Sequence, residues 1–153
     1  MRNRKCSLNH MDDFLPGRHI REEVSEQEKS LSSIAKKSGI INYAFFQNKG
    51  YVGMYNMSLN ELKRWKSIPD NRTPLDFMGK EELAANLFRI TQTETKIRNE
   101  DIKGQGSLED AAYKVGKKVR KTMEEISNTF PEDLPIATDI IKVKSDLKKH
   151  IAN

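Results

Sequence analysis

The sequence predicts an all-α fold, a compact bundle of about four to five helices with an aromatic loop and mobile termini. Three observations carry the prediction. Apolar residues recur three and four apart over long stretches, helix start and stop signals frame those stretches, and strand-like alternation is scarce. With 153 residues, 36% of them hydrophobic and 32% charged, the chain suits one domain with a modest core and no large buried cavity. Residues 1–18 have no period and read as a flexible arm, 19–135 as the helical domain, and 136–153 as a short basic helix or tail.

The elements follow in order. Ile20, Val24, Leu31, Ile34 and Ala35 keep helical spacing, interrupted by Gln27 and Glu28, and Gly39 supplies a C-cap. In "INYAFFQNKGYVGMYNM" five aromatic residues crowd together, and Gly50 and Gly53 should break any long element into a short helix and a tight aromatic loop. Ser58 and Glu61 stand in capping-box register, opening a helix that ends before Pro69. "DNRTP" is a turn. Lys80 to Asn99 reads as a helix whose Glu81 and Glu82 suit the positive end of its dipole. After the connector "KGQGS", Ser107 and Asp110 resemble a cap, and Leu108, Ala112, Val115, Val119, Met123 and Ile126 form a narrow apolar seam over 107–127. That seam could pair with a second copy of the chain. Ile140, Val143 and Leu147 mark the last helix.

Composition excludes several classes. A single cysteine, Cys6, rules out an intramolecular disulfide, no apolar run approaches the ~20 residues that span a bilayer, and the basic N-terminus lacks a signal-peptide core. A soluble cytoplasmic protein is the expectation. The 27 basic and 22 acidic residues give +5, a mild bias towards anionic partners.

Two constellations stand out. On a helical wheel Leu83, Leu87, Ile90 and Ile97 define an apolar arc, widened by Ala84, Phe88 and Thr91. Asn86, Arg89, Thr93 and Lys96 are placed on the opposite arc and, with Gln92, read as a hydrogen-bonding stripe suited to a protein partner. The alternative is that Asn86 and Arg89 satisfy groups on the neighbouring aromatic loop. In "YKVGKKVRK", Lys114, Lys117, Lys118, Arg120 and Lys121 form a cationic run suited to nucleic-acid phosphates, unless it is only a solvated face balanced by Glu124 and Glu125.

Other signals are weaker. "LSSIAKKSGI" has the outline of a helix-turn-helix start, but "INYAFFQNKG" is aromatic where a recognition helix would be polar. Asp76 with Glu94–Thr95–Lys96 mimics a metal-nuclease carboxylate set, though on a helix rather than at strand ends. Cys6 and His10 lie a helical turn apart, with His19 and His150 too scattered to complete a zinc site. No nucleophile–base pair or phosphate loop is present, so no catalytic activity, metal or cofactor is expected.

Three blocks, "YAFFQNKGYVGMYNMSLNELKRWK", "LDFMGKEELAANLFRITQTETKIRNEDI" and "VGKKVRKTMEEISNTFPEDLP", occur in this order and spacing. Together they resemble the C-terminal region of the bacterial DNA-damage-inducible protein D family, from about Ile20 to Pro135, and "ELAANLFRITQTE" is the most specific of the shared segments. The resemblance implies a non-enzymatic protein of the DNA-damage (SOS) response that modulates the RecA recombinase filament on single-stranded DNA. Direct nucleic-acid binding or transcription regulation is the alternative. Family members usually carry an N-terminal domain resembling that of phage antirepressors. The expectation here is a truncated, split-gene or stand-alone C-terminal half, with a separately encoded antirepressor-like domain as one candidate partner.

Overall fold

The computed structural model describes residues 18–137 and 140–152. Most of the expected N-terminal arm, including Cys6 and His10, therefore lies outside the described residues, as do 138–139 and 153. Six α-helices are present among the described residues: α1 (Arg18–Lys37), α2 (Tyr43–Tyr55), α3 (Leu59–Trp65), α4 (Lys80–Asn99), α5 (Gln105–Ser127) and α6 (Ile140–Ala152). Short 3-10 turns occupy Pro74–Phe77 and Pro131–Asp133. Among the described residues the only β-type pairing is an isolated antiparallel bridge between Met78 and Ile136. The fold is all-α, with one more helix than the upper end of the expected count.

Two helix pairs build the body. α2 lies against α5, and α1 lies against α4, while α4 and α5 join the pairs. Val24, Leu31 and Ala35 of α1, Phe46, Tyr51, Met54 and Tyr55 of α2, and Leu83, Ile90 and Ile97 of α4 meet Leu108, Ala112 and Val119 of α5 in one core. The α5 seam is therefore consumed within the chain. Of its members only Ile126, 81% exposed, points clearly to solvent.

The expected aromatic loop is a continuous helix, because its glycines are contact points rather than breaks. A Cβ on Gly53 would overlap the carbonyl oxygen of Tyr113 in α5. One on Gly116 would stand 2.6 Å from the Gly50 carbonyl oxygen and 2.8 Å from the Met54 nitrogen. The helix axes thus approach until backbone touches backbone, which only glycine permits. Packing along α5 then offsets the ~1 kcal/mol that each glycine costs an isolated helix.

Local signals elsewhere act as read. Ser58 and Glu61 form a reciprocal capping box, with Glu61 N donating to Ser58 Oγ at 3.1 Å. Gly39 has φ +103° and follows α1, and its turn is tied to the next one through Gly104 N donating to Ser38 O at 2.9 Å. α5 begins at Gln105, ahead of the expected Ser107 cap, because the Gln105 side chain is used across the fold. Its Oε1 accepts from Ile41 N at 2.9 Å and Asn42 N at 3.0 Å, fixing the entry to α2.

Gly116→Ala should therefore lower stability by about 1–3 kcal/mol, the usual cost of overpacking, in urea denaturation. Gly106→Ala, where a Cβ meets open space near the start of the same helix, should gain about 0.5–1 kcal/mol. Equal responses at the two glycines would refute the backbone contact.

Candidate functional site

The polar row of α4 faces inward. Glu82, Asn86, Arg89 and Thr93 recur at four, three and four residues, which is the spacing of a buried seam, and are 2%, 0%, 4% and 1% exposed. At 100° per residue Asn86 lies only about 20° from Ile97 and about 40° from Ile90, so the row belongs to the apolar arc and not opposite it. Ala84 and Phe88, placed by sequence on the buried arc, are the exposed ones. Of the five stripe residues, Asn86, Arg89 and Thr93 are out of a partner's reach; Gln92 is exposed, and Lys96 pairs with Glu100 at 2.8 Å.

The buried row answers the hydroxyl groups and charges around it. Lys66 Nζ donates to Glu82 Oε1 at 2.9 Å and Oε2 at 3.0 Å, and also to the carbonyl oxygens of Leu134 (3.2 Å) and Pro131 (3.4 Å). Tyr55 OH donates to Glu82 Oε2 at 2.5 Å. Asn86 Nδ2 donates to Tyr55 OH at 2.9 Å and to the Glu82 carbonyl oxygen at 3.0 Å, while Asn86 Oδ1 accepts from Arg89 Nη2 at 3.0 Å. The Arg89 guanidinium lies 5.0 Å from the Tyr51 ring centre, in the space a Cβ on Gly50 would need. Thr93 closes on its own helix, donating to the Arg89 carbonyl oxygen at 2.8 Å.

Burial pushes the Glu82 carboxyl up from its ordinary range, and the hydrogen bonds from Tyr55 and Lys66 pull it back. Burial, reinforced by Glu82, raises the Tyr55 phenol well above its usual value, so it stays a donor. Tyr43 is pushed up to about 12 by burial, with Glu28 adding to the rise and Arg89 opposing it. Burial also raises Glu28, against the attraction of Arg89. This assembly is a structural network. Its sequence signal was the four-three-four spacing; Lys66 and Tyr55 carried none.

The cationic run of α5 divides. Lys114, Lys117, Lys118 and Lys121 fall within about 100° of the wheel, with Arg120 about 60° beyond. All four lysines are exposed. Arg120 is turned inward: Nη1 donates to Glu132 Oε2 at 2.6 Å and Met54 O at 3.3 Å, and the guanidinium lies 4.8 Å from the Phe130 ring centre. It clamps the segment after α5 and is no free phosphate ligand. Lys114 pairs with Asp110 at 2.8 Å, and Lys117 Nζ lies 5.5 Å from the Tyr113 ring. Lys118 and Lys121 have no carboxylate partner among the described residues. Where α4 and α5 meet, a groove of about 350 Å³ brings Gln92 and Lys96 of the stripe together with Lys118 of the run, beside the half-exposed Phe88.

The remaining candidates separate. Asp76 is bound to Arg72 at 3.0 Å, and Glu94 accepts from Ser30 and Arg98, so the nuclease-like carboxylates are committed elsewhere. No group of three metal-ligating side chains gathers among the described residues. α2, in the place of a recognition helix, buries Phe46, Gly50, Tyr51, Gly53, Met54 and Tyr55, and its exposed face offers Ala44, Phe45 and Lys49 rather than a base-reading row. No helix of the described residues is long and apolar enough to cross a membrane.

Lys66→Ala or Glu82→Ala, each leaving a buried charge alone, should cost about 3–5 kcal/mol in chemical denaturation. The double variant Lys66→Met with Glu82→Leu should cost much less than the sum of the two. Additive losses would show that the pair does not act as a unit.

Comparison with known proteins agrees with the blocks on which the resemblance was drawn. A family model described as the DinD C-terminal domain matches residues 17–143. The DNA damage-inducible protein D of Escherichia coli (strain K12) is 38% identical over 127 residues, covering 80% of this chain and 46% of that protein. The chain thus spans about half the length of the curated relative it matches. No solved structure matches. Since the matched stretch holds α2 to α5 complete, with the glycine crossing and the buried polar row inside it, the chain belongs to the DinD C-terminal domain family.

Proposed function

We propose that the chain is a non-enzymatic interaction module of the DNA-damage response, docking on the RecA filament formed on single-stranded DNA. The observation that carries this reading is the row of exposed lysines on α5, Lys114, Lys117, Lys118 and Lys121, on a chain of net charge +5. Such a row neutralises phosphates without reading sequence, which suits a ligand that is a protein-coated strand. The relative's name, DNA damage-inducible protein D, and the filament link implied by the resemblance supply the setting. Support for a non-catalytic role comes from the polar groups themselves. Glu82 and Tyr55, both raised by burial, are spent on each other and on Lys66 inside the core.

Direct binding to naked nucleic acid is the second reading, favoured by the same lysines. In both readings Lys118 and Lys121 do most of the work, since Lys114 is shared with Asp110 and Arg120 is held by Glu132.

Lys118→Glu with Lys121→Glu should weaken binding to RecA filaments on single-stranded DNA at least about tenfold in co-sedimentation, and flatten its salt dependence. Arg120→Ala should instead lower thermal stability. Unchanged filament affinity in the double reversal would sink the electrostatic reading.

A further inference from the structure

The groove between α4 and α5 combines features that the lysine row alone does not need. Phe88, on the outer face of α4, leaves 54% of its surface in water although its helix has an apolar face available. Gln92, one turn along, is exposed, and Lys96 follows one turn further. Across the groove stand Val115, Lys118 and Thr122 of α5. An exposed ring is thus framed by an amide that both donates and accepts, a hydroxyl, and a cation without a carboxylate partner. Glu100 also lines the groove, but its charge is taken up by Lys96 at 2.8 Å.

We propose that this groove receives an unpaired base of a single nucleic-acid strand, stacked on Phe88, with Lys118 and Lys121 holding the flanking phosphates. The proposal rests on the reading that the α5 face meets nucleic acid, and deepens it by naming the ligand as single-stranded. A duplex keeps its bases stacked and would engage the lysines while leaving Phe88 idle. An unpaired base exposes a π-face that an aromatic ring accepts whatever the sequence, and its edge can reach Gln92 and Thr122. Charge decides against an apolar peptide, because the free cation Lys118 lies inside the groove and Lys121 lies one turn beyond it on the same face.

The test is fluorescence anisotropy with a labelled single-stranded oligonucleotide and a blunt duplex of the same sequence. The proteins are the full chain and its Phe88→Ala, Phe88→Tyr and Lys118→Glu/Lys121→Glu variants. Phe88→Ala should weaken single-strand binding by about 5- to 100-fold, leaving duplex affinity and the salt slope unchanged, and Phe88→Tyr should retain binding. The exposure of Phe88 makes loss of folding a poor explanation, and a thermal melt checks it. If Phe88→Ala changes neither ligand, or both alike, while the lysine variant weakens both, the stacking site is overturned and the phosphate-binding reading stands. Failure of the unaltered chain to bind either oligonucleotide at low salt overturns both. If Phe88→Ala spares the naked strand but abolishes docking on the RecA filament, the groove takes a protein segment and the base-binding site is overturned.

Discussion

The contact of backbone on backbone where α2 crosses α5 decides the position of almost every other side chain. Gly53 on one helix and Gly116 on the other remove the side chains that would hold the axes apart. With α2 drawn in this far, Tyr51 and Tyr55 have their rings directed towards α4, stacked at 5.9 Å with the planes 24° apart. Two phenols in a core need polar company, since an unpaired buried hydroxyl costs ~1–3 kcal/mol. α4 is therefore turned so that Asn86 and Glu82 meet Tyr55, and so that Arg89 lies against Tyr51 in the volume left by Gly50.

That orientation has an energetic character of its own. A core closed by Leu and Phe would be stabilised by burial alone, whereas the Lys66–Glu82 pair must recover a desolvation cost of several kcal/mol per ion. Recovery comes from the full set of acceptors around Lys66, two carboxylate oxygens and the carbonyls of Pro131 and Leu134. Those carbonyls belong to the segment that follows α5. The ion pair therefore ties that segment to α3 and α4, and Trp65 Nε1 and Arg120 fasten it again at Glu132. A network satisfied at this many points favours one arrangement of helices over its apolar alternatives.

The same rotation of α4 shapes the surface. Turning Asn86 and Arg89 inward carries Phe88 and Gln92 outward, because at 100° per residue Phe88 lies about 160° and Gln92 about 120° from Asn86 around the helix. The groove beside α5 is thus a consequence of how the tyrosines are satisfied. Lys118 and Lys121 remain available on its α5 side because the one cation that could have been drawn into a buried pair, Arg120, sits on a different arc and is.

Much of the fold was legible in the residues. Helical spacing located α1, α4 and α5, the Ser58–Glu61 box started α3, and the sequence blocks pointed to the family. The glycines of α2 were misread, because a glycine in a helix looks alike in sequence whether it breaks the element or receives another backbone. Arg120 was misread for a related reason: its partner Glu132 is twelve residues away, beyond any helical spacing. By itself the sequence determined α1, α3, α4 and most of α5, the Ser58–Glu61 cap and the net charge, since spacing and capping depend on neighbours within a turn or two. Only the tertiary structure decided which way α4 faces, and hence that Asn86, Arg89 and Thr93 are core while Phe88 is surface. The groups that satisfy or displace them, Tyr55, Lys66 and Gly50, are distant in the chain and meet α4 only after the helices pack.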